Sequence, residues 1–219
     1  MSIYIGYEPR EELAYEVCKY SIEQRSNIEV KKLYSKDIAG YARNFGEPQS
    51  TDFTFTRFWV PYLSDRKGYS IFVDCDFLFL DDPQKLIDFA KQDPSKAVWV
   101  VQHPNYIPNT DLKMDNIPQN RYYRKNWASL MVFNNSHPDC LMSVKFLNWY
   151  RPGIHFHQFK WTENIGSLPL EWNCLDGYYH LENPKAIHYT DGGPWFEGYQ
   201  NTMYSSLWQE EHQRYLTSV

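Results

Sequence analysis

Apolar residues recur along this chain in two rhythms, and the changes of rhythm locate its elements. Ile3 to Tyr7 is a short run of strand-forming residues, closed by the turn Glu8-Pro9-Arg10. Glu11 to Gln24 switches to helical spacing, with Leu13, Val17, Tyr20 and Ile22 among its apolar positions. Ile28 to Leu33 then returns to a strand. This β-α-β opening predicts a parallel sheet with right-handed crossovers. Phe53 to Leu63 predicts a buried helix, because Phe55, Phe58, Trp59 and Tyr62 fall on helical spacing. Tyr69 to Val73 is a strand. Asp82-Pro83 opens a helix to about Lys91, with Asp82 as N-cap and Pro83 at its first position. Strands follow at Ala97 to Gln102 and Ala128 to Phe133, then a helix from Pro138 to Tyr150. Lys185 to Tyr189 reads as a strand and Leu207 to Tyr215 as a final helix.

Two stretches lack either rhythm. Lys36 to Asp52 carries Gly40, Gly46 and Pro48, and His103 to Arg124 carries Pro104, Pro108 and Pro118. The second is long enough to suggest a functional loop. Strands alternating with helices over 219 residues predict one domain spanning 1–219. The expected fold is an α/β/α sandwich with a mostly parallel central sheet.

One strand ends in chemistry. Ser70-Ile71-Phe72-Val73 runs into Asp74-Cys75-Asp76, followed by Phe77-Leu78-Phe79-Leu80. In extended chain, positions i and i+2 share a side, so both carboxylates can point at one spot. Held that close they repel unless a proton or a cation lies between them. Apolar flanks on both sides predict partial burial, and buried acids need a partner. Oxygen ligands favour Mg²⁺ or Mn²⁺ over zinc or copper. A divalent metal at a strand end of an α/β protein suggests phosphate chemistry.

The second constellation is His188-Tyr189-Thr190-Asp191-Gly192-Gly193-Pro194-Trp195, where two glycines let backbone approach a ligand closely. By spacing alone His188 competes with six other histidines, including His155 and His157. Arg57 sits in the otherwise apolar Phe53 to Leu63 stretch and needs an anion. An aspartate or a bound phosphate would satisfy it. Tyr7 follows the first strand, where a ring either stacks on a base or covers the sheet edge.

Read together, these residues resemble the nucleotide-sugar glycosyltransferases of the A-type fold, nearest the family-eight, glycogenin-like and galactosyltransferase-like group. The ordered set that carries the likeness is Ile3-Tyr4-Ile5-Gly6-Tyr7, Thr56-Arg57-Phe58, Asp74-Cys75-Asp76, Ser129 to Asn134, and His188 to Trp195. The resemblance implies that Asp74, Asp76 and His188 bind Mn²⁺, and that the metal holds the diphosphate of a UDP-sugar. It implies that Asp74, Asp76 and Arg57 serve catalysis. It also implies that Tyr7, Arg57, Trp127, Ser129, Lys160 and Gly192 line the donor site. The implied reaction moves glucose or galactose to a glycan or other hydroxyl acceptor, with retention at the anomeric carbon.

The chain departs from the family pattern in places. Gly193 precedes Pro194-Trp195 where the family carries a lysine, and Lys160 is a candidate replacement. The family's Asn-Ser-Gly reads here as Trp127-Ala128-Ser129, and its later Asp-Gln pair has no match. Glu171, Asn173 and Asp176 are alternatives for holding sugar hydroxyls, and Trp161 for lining the cleft. The acceptor is expected to be set by Asn105 to Arg124 and by residues after Gly193.

Composition narrows the partners. A net charge of -5 argues against nucleic acid as the main ligand. Aromatics form 18% of the chain, with 18 Tyr and 8 Trp, which suits either a ring-filled core or a sugar platform. The four cysteines are widely spaced, without a C-x-x-C, and fit a reducing compartment. No signal peptide and no membrane-spanning run is visible, so a cytoplasmic location is expected. Two other readings use the same features: a nucleotidyltransferase of sugar-nucleotide metabolism, and a non-catalytic carbohydrate-binding protein. The first lacks a glycine-rich basic loop near the first strand. The second does not need a partly buried acidic pair.

Overall fold

The computed structural model describes residues 1–43, 46–47, 49–104, 106–107 and 122–218. Most of the expected acceptor loop, Asn105 to Arg124, lies outside the described residues, as does Pro48.

The chain begins β1 (Ser2–Gly6), α1 (Glu12–Glu23), β2 (Glu29–Leu33), which is the β-α-β unit that the opening pattern predicts. Further on come α2 (Val60–Leu63), β3 (Tyr69–Val73), β4 (Phe77–Phe79), α3 (Gln84–Ala90), β5 (Val98–Val101) and β6 (Leu130–Asn134). The rest adds α4 (Val144–Trp149), α5 (Ile154–His157), β7 (Ile165–Leu168), β8 (Cys174–Leu175), β9 (Ala186–His188) and α6 (Ser205–Leu216). The main sheet has the order β2-β1-β3-β6-β5-β7. Its neighbours pair in parallel except at β6, which runs antiparallel to both β3 and β5. The carboxyl ends of β1, β3, β5 and β7 therefore share one edge, where open α/β sheets bind ligands.

A second sheet, β4-β9-β8, was not legible in the pattern. Phe77-Leu78-Phe79 reads in sequence only as an apolar flank, and β8 is two residues long. In β9 the register sets His188 opposite Phe77, and Tyr189 N–H donates to the carbonyl of Asp76 at 3.0 Å. The small sheet thus ties the late histidine to the acidic strand end.

Some element boundaries differ from the predicted ones for local reasons. The predicted helix over Phe53 to Leu63 is a 3-10 turn, Thr56–Trp59, followed by the single turn α2. Pro61 lacks the N–H that would bond the Arg57 carbonyl, and its ring crowds that carbonyl, so a continuous α-helix is blocked. The Pro138 to Tyr150 helix divides into a turn, Pro138–Cys140, and α4. Ser143 Oγ caps α4 by accepting from Phe146 N–H at 3.1 Å. Asp82 Oδ1 accepts from Gln84 N–H at 2.8 Å, but the helix begins at Gln84, so Pro83 takes the N-cap position expected for Asp82, which lies two residues before the helix.

The main core lies on both faces of the large sheet, with Ile3, Ile5, Ile71, Phe72, Val98, Val132 and Phe133 fully buried. A smaller cluster joins Val17 of α1, Leu78, Ile187 and Tyr189 of the small sheet region, and Trp208 of α6. Leu13, expected on the apolar face of α1, is exposed at 38%. All four cysteines are free and buried. Among the described residues no helix is long and apolar enough to cross a membrane.

Candidate metal centre

Asp74, Asp76 and His188 each offer a ligand atom, and these atoms lie within 4.8 Å of one another. Asp74 and Asp76 follow β3, and His188 ends β9. The main sheet and the small sheet therefore each contribute one side of the group. Asp76 and His188 are buried, at 8% and 2% exposure.

The His188 ring is held from behind. Its Nδ1 lies 3.1 Å from Asn173 Oδ1. Asn173 Nδ2 donates to Ser129 Oγ at 2.9 Å and to the carbonyl of Asn126 at 3.4 Å, which fixes the orientation of the amide. An amide oxygen only accepts, so Nδ1 carries a hydrogen. Nε2 is left for a ligand and stands 3.4 Å from Asp76 Oδ2. A bare ring nitrogen facing a carboxylate oxygen is repulsive without a proton or cation between them. Two carboxylates and an imidazole oriented by a buried acceptor form a donor set that fits a divalent metal such as Mg²⁺ or Mn²⁺. The His188 ring also stacks on Phe77 at 4.4 Å, which holds its plane.

Arg57 reaches the same spot. Its Nη1 lies 3.0 Å from Asp74 Oδ1 and donates to the carbonyl of Ala128 at 2.7 Å, while Nε donates to the carbonyl of Phe53 at 3.2 Å. The anion that the sequence demanded for Arg57 is thus Asp74, itself a member of the candidate site. Ser129 serves both arms of the group. Its carbonyl accepts from Asp74 N–H at 2.9 Å, and its hydroxyl accepts from Asn173 while donating to the Asn126 carbonyl at 2.7 Å.

The remaining expected residues fall at different distances from this centre. Tyr7 is 9% exposed, edge-on to Tyr15 and Tyr34. The ammonium of Lys32 lies 3.4 Å from its ring centroid, and its hydroxyl bonds Glu12. That is the sheet-covering arrangement. The open groove nearby, about 350 Å³, is lined instead by Glu8, Arg10, Tyr34, Gln49 and Asp52. Trp127 packs near Phe159, with the Arg124 guanidinium over it. Lys160 is exposed. Gly192 has φ +133, a region that favours glycine, and a Cβ at Gly193 would meet the Trp195 ring at 2.0 Å. The second glycine therefore makes room for a tryptophan.

Among the three alternatives for sugar contact, the structure distinguishes roles. Glu171 pairs with Lys185 at 3.4 Å, and Asp176 Oδ1 accepts from Tyr204 N–H at 2.9 Å. Asn173 is fully buried and holds His188. Several neighbours carried no sequence signal. Burial, with Arg57 adding, holds the His157 imidazole down to about 3. Burial pushes the Tyr122 hydroxyl up to about 12, opposed by Arg57 and reinforced by Asp74. Tyr122 lies in the His103 to Arg124 stretch without periodicity and His157 ends the single turn α5, so only the folded chain brings them to Arg57.

No family model matches the chain. It is 41% identical over 227 residues to "Protein CDI" of Arabidopsis thaliana, an alignment covering 97% of this chain and 86% of that protein. Among solved structures it superposes on the galactosyltransferase LgtC, solved with donor and acceptor sugar analogues, with a TM-score of 0.60 at 12% identity. That match covers 98% of this chain and 96% of LgtC. The bifunctional glycosyltransferase WbbM gives a TM-score of 0.64 at 16% identity over 97% of this chain. The glycosyltransferase GlyE of Streptococcus pneumoniae TIGR4 gives 0.64 at 13% over 99%. The chain spans about half of the WbbM chain and 63% of GlyE. These likenesses establish the A-type glycosyltransferase fold expected from the sequence.

Proposed function

We propose, from its fold and its candidate metal ligands, that this chain, which belongs to the family of Arabidopsis thaliana protein CDI, is a metal-dependent UDP-sugar hexosyltransferase. The substrate is a UDP-linked glucose or galactose, the acceptor a hydroxyl compound, and the metal Mn²⁺ or Mg²⁺. The observation that carries this reading is the convergence of Asp74, Asp76 and His188, with Nε2 left for a ligand by the Asn173 contact.

A bound divalent cation would neutralise charge that builds on the departing diphosphate. The chain's own residues do the rest. Asp76 and His188 would hold the cation at the edge of the small sheet. Asp74 is oriented by Arg57, and the same guanidinium stands ready to contact the donor phosphate or sugar. Ser129 and Asn173 keep both arms in register. Retention accords with the family likeness, and the leaving phosphate then serves as base for the incoming hydroxyl.

The test is metal-dependent release of UDP from UDP-glucose and UDP-galactose. Asp76→Ala should abolish the Mn²⁺-dependent rate, and an unchanged rate would sink the proposal. A thermal-shift series with nucleotides separates the alternative. Stabilisation by UDP that requires Mn²⁺ supports the reading, whereas stabilisation by nucleoside triphosphate alone favours nucleotidyl transfer.

A further inference from the structure

His103 lies two residues beyond β5, on the sheet edge that also carries Asp74 and Asp76. Its side chain is 6% exposed, and neither Nδ1 nor Nε2 has a hydrogen-bond partner among the described residues. The ring lies flat against Tyr179, with centroids 5.7 Å apart and planes 11° from parallel. Burial holds the imidazole down to about 3, so the ring is neutral.

Burying two polar atoms without partners is unfavourable, and buried polar groups in folded proteins are nearly always matched. Such an exception calls for a ligand as explanation. A neutral imidazole presents one N–H and one bare nitrogen. A hydroxyl both donates and accepts, so it complements either nitrogen.

We infer that His103 binds a hydroxyl of the hexose carried by the nucleotide donor. This rests on the donor reading above. In a UDP-hexose one oxygen joins the sugar to the phosphate that the Asp74, Asp76 and His188 group would serve. The sugar hydroxyls must therefore lie close to that group, and His103 follows β5 on the sheet edge where β3 delivers Asp74 and Asp76.

The test compares Kd values for UDP, UDP-glucose and UDP-galactose by calorimetry with Mn²⁺, in wild type, His103→Phe and His103→Asn. His103→Phe keeps a ring on Tyr179 and removes both nitrogens. It should weaken at least one UDP-hexose about tenfold, the scale of one lost hydrogen bond, while UDP binds within about twofold of wild type. Its Tm should hold or rise, because two unmatched polar atoms leave the interior. His103→Asn, which keeps a donor and an acceptor, should recover part of the loss. Equal weakening of UDP and UDP-hexose would overturn the inference, as would unchanged binding of all three. A fall in Tm with unchanged binding would assign His103 to packing instead. Wild-type protein that binds UDP but gains nothing from the hexose would overturn the role of His103 alone. Wild-type protein that binds no UDP compound would overturn the donor reading itself.

Discussion

Asn173→Ala separates holding the metal site from holding the fold. The wild-type amide makes three contacts: Oδ1 to His188 Nδ1 at 3.1 Å, Nδ2 to Ser129 Oγ at 2.9 Å, and Nδ2 to the Asn126 carbonyl at 3.4 Å. Truncation leaves the buried N–H of His188 without its acceptor, which costs about 1–3 kcal/mol. For a chain of this size a loss of about 2 kcal/mol lowers Tm by about 4–8 °C. The metal effect is separate. Removing a group that orients a ligating histidine typically weakens metal binding about 10–100-fold. At a Mn²⁺ concentration of about 100 times the wild-type Kd, the metal stabilises the folded chain by about 2.7 kcal/mol. A tenfold weaker site keeps about 1.4 kcal/mol of that and a hundredfold weaker site about 0.4 kcal/mol. Thermal unfolding with and without Mn²⁺, backed by calorimetric Kd, reads both quantities. Asn173→Asp sharpens the result, because its carboxylate still accepts from Nδ1 but cannot donate to Ser129. It should lose stability yet keep most of the metal affinity. If Asn173→Ala unfolds earlier while binding Mn²⁺ with the wild-type Kd, the argument that Asn173 positions His188 for a metal is refuted.

Two further outcomes are expected. Arg57→Ala removes one partner of the buried Arg57–Asp74 pair and should destabilise the chain by about 3–5 kcal/mol, measured by urea unfolding. A shift under 1 kcal/mol would show that the pair is solvated. Glu8 gives the acid dependence. Desolvation acts to raise its carboxyl, but hydrogen bonds from Arg10 and from the backbone of Asp52 and Arg10 hold it below its usual value. Its contribution is therefore present above the unfolded-state pKa and is lost as pH falls through the lower folded value. The stability gap between wild type and Glu8→Gln should be flat from neutral pH to about 5 and narrow below about 4, where the unfolded state takes up the proton before folded Glu8 does. A gap that stays constant down to pH 3 would contradict this assignment.

Much of the fold was legible because its signals are local. The β-α-β opening, the apolar strand before Asp74, the Asp82 cap and the final helix all follow from periodicity or from a side chain bonding its own neighbours. The acidic pair was legible for the same reason, since both carboxylates sit on one short stretch. The second sheet was not, because a strand as short as Cys174–Leu175 carries no periodicity. The split of the predicted Phe53 to Leu63 helix turned on the missing N–H of Pro61, which outweighed the spacing of the rings.

The sequence alone determined that two carboxylates meet at the end of a buried strand, and that they require a cation or its equivalent. That is a property of alternation and charge repulsion over a few residues. Spacing left seven histidines open and only the family resemblance singled out His188; the tertiary structure is what brings it to the acids. The β4–β9 register places His188 opposite Phe77, and Asn173 and Ser129 then fix which ring nitrogen faces the acids. Pairing between segments distant along the chain sets those positions, so no local spacing could announce them.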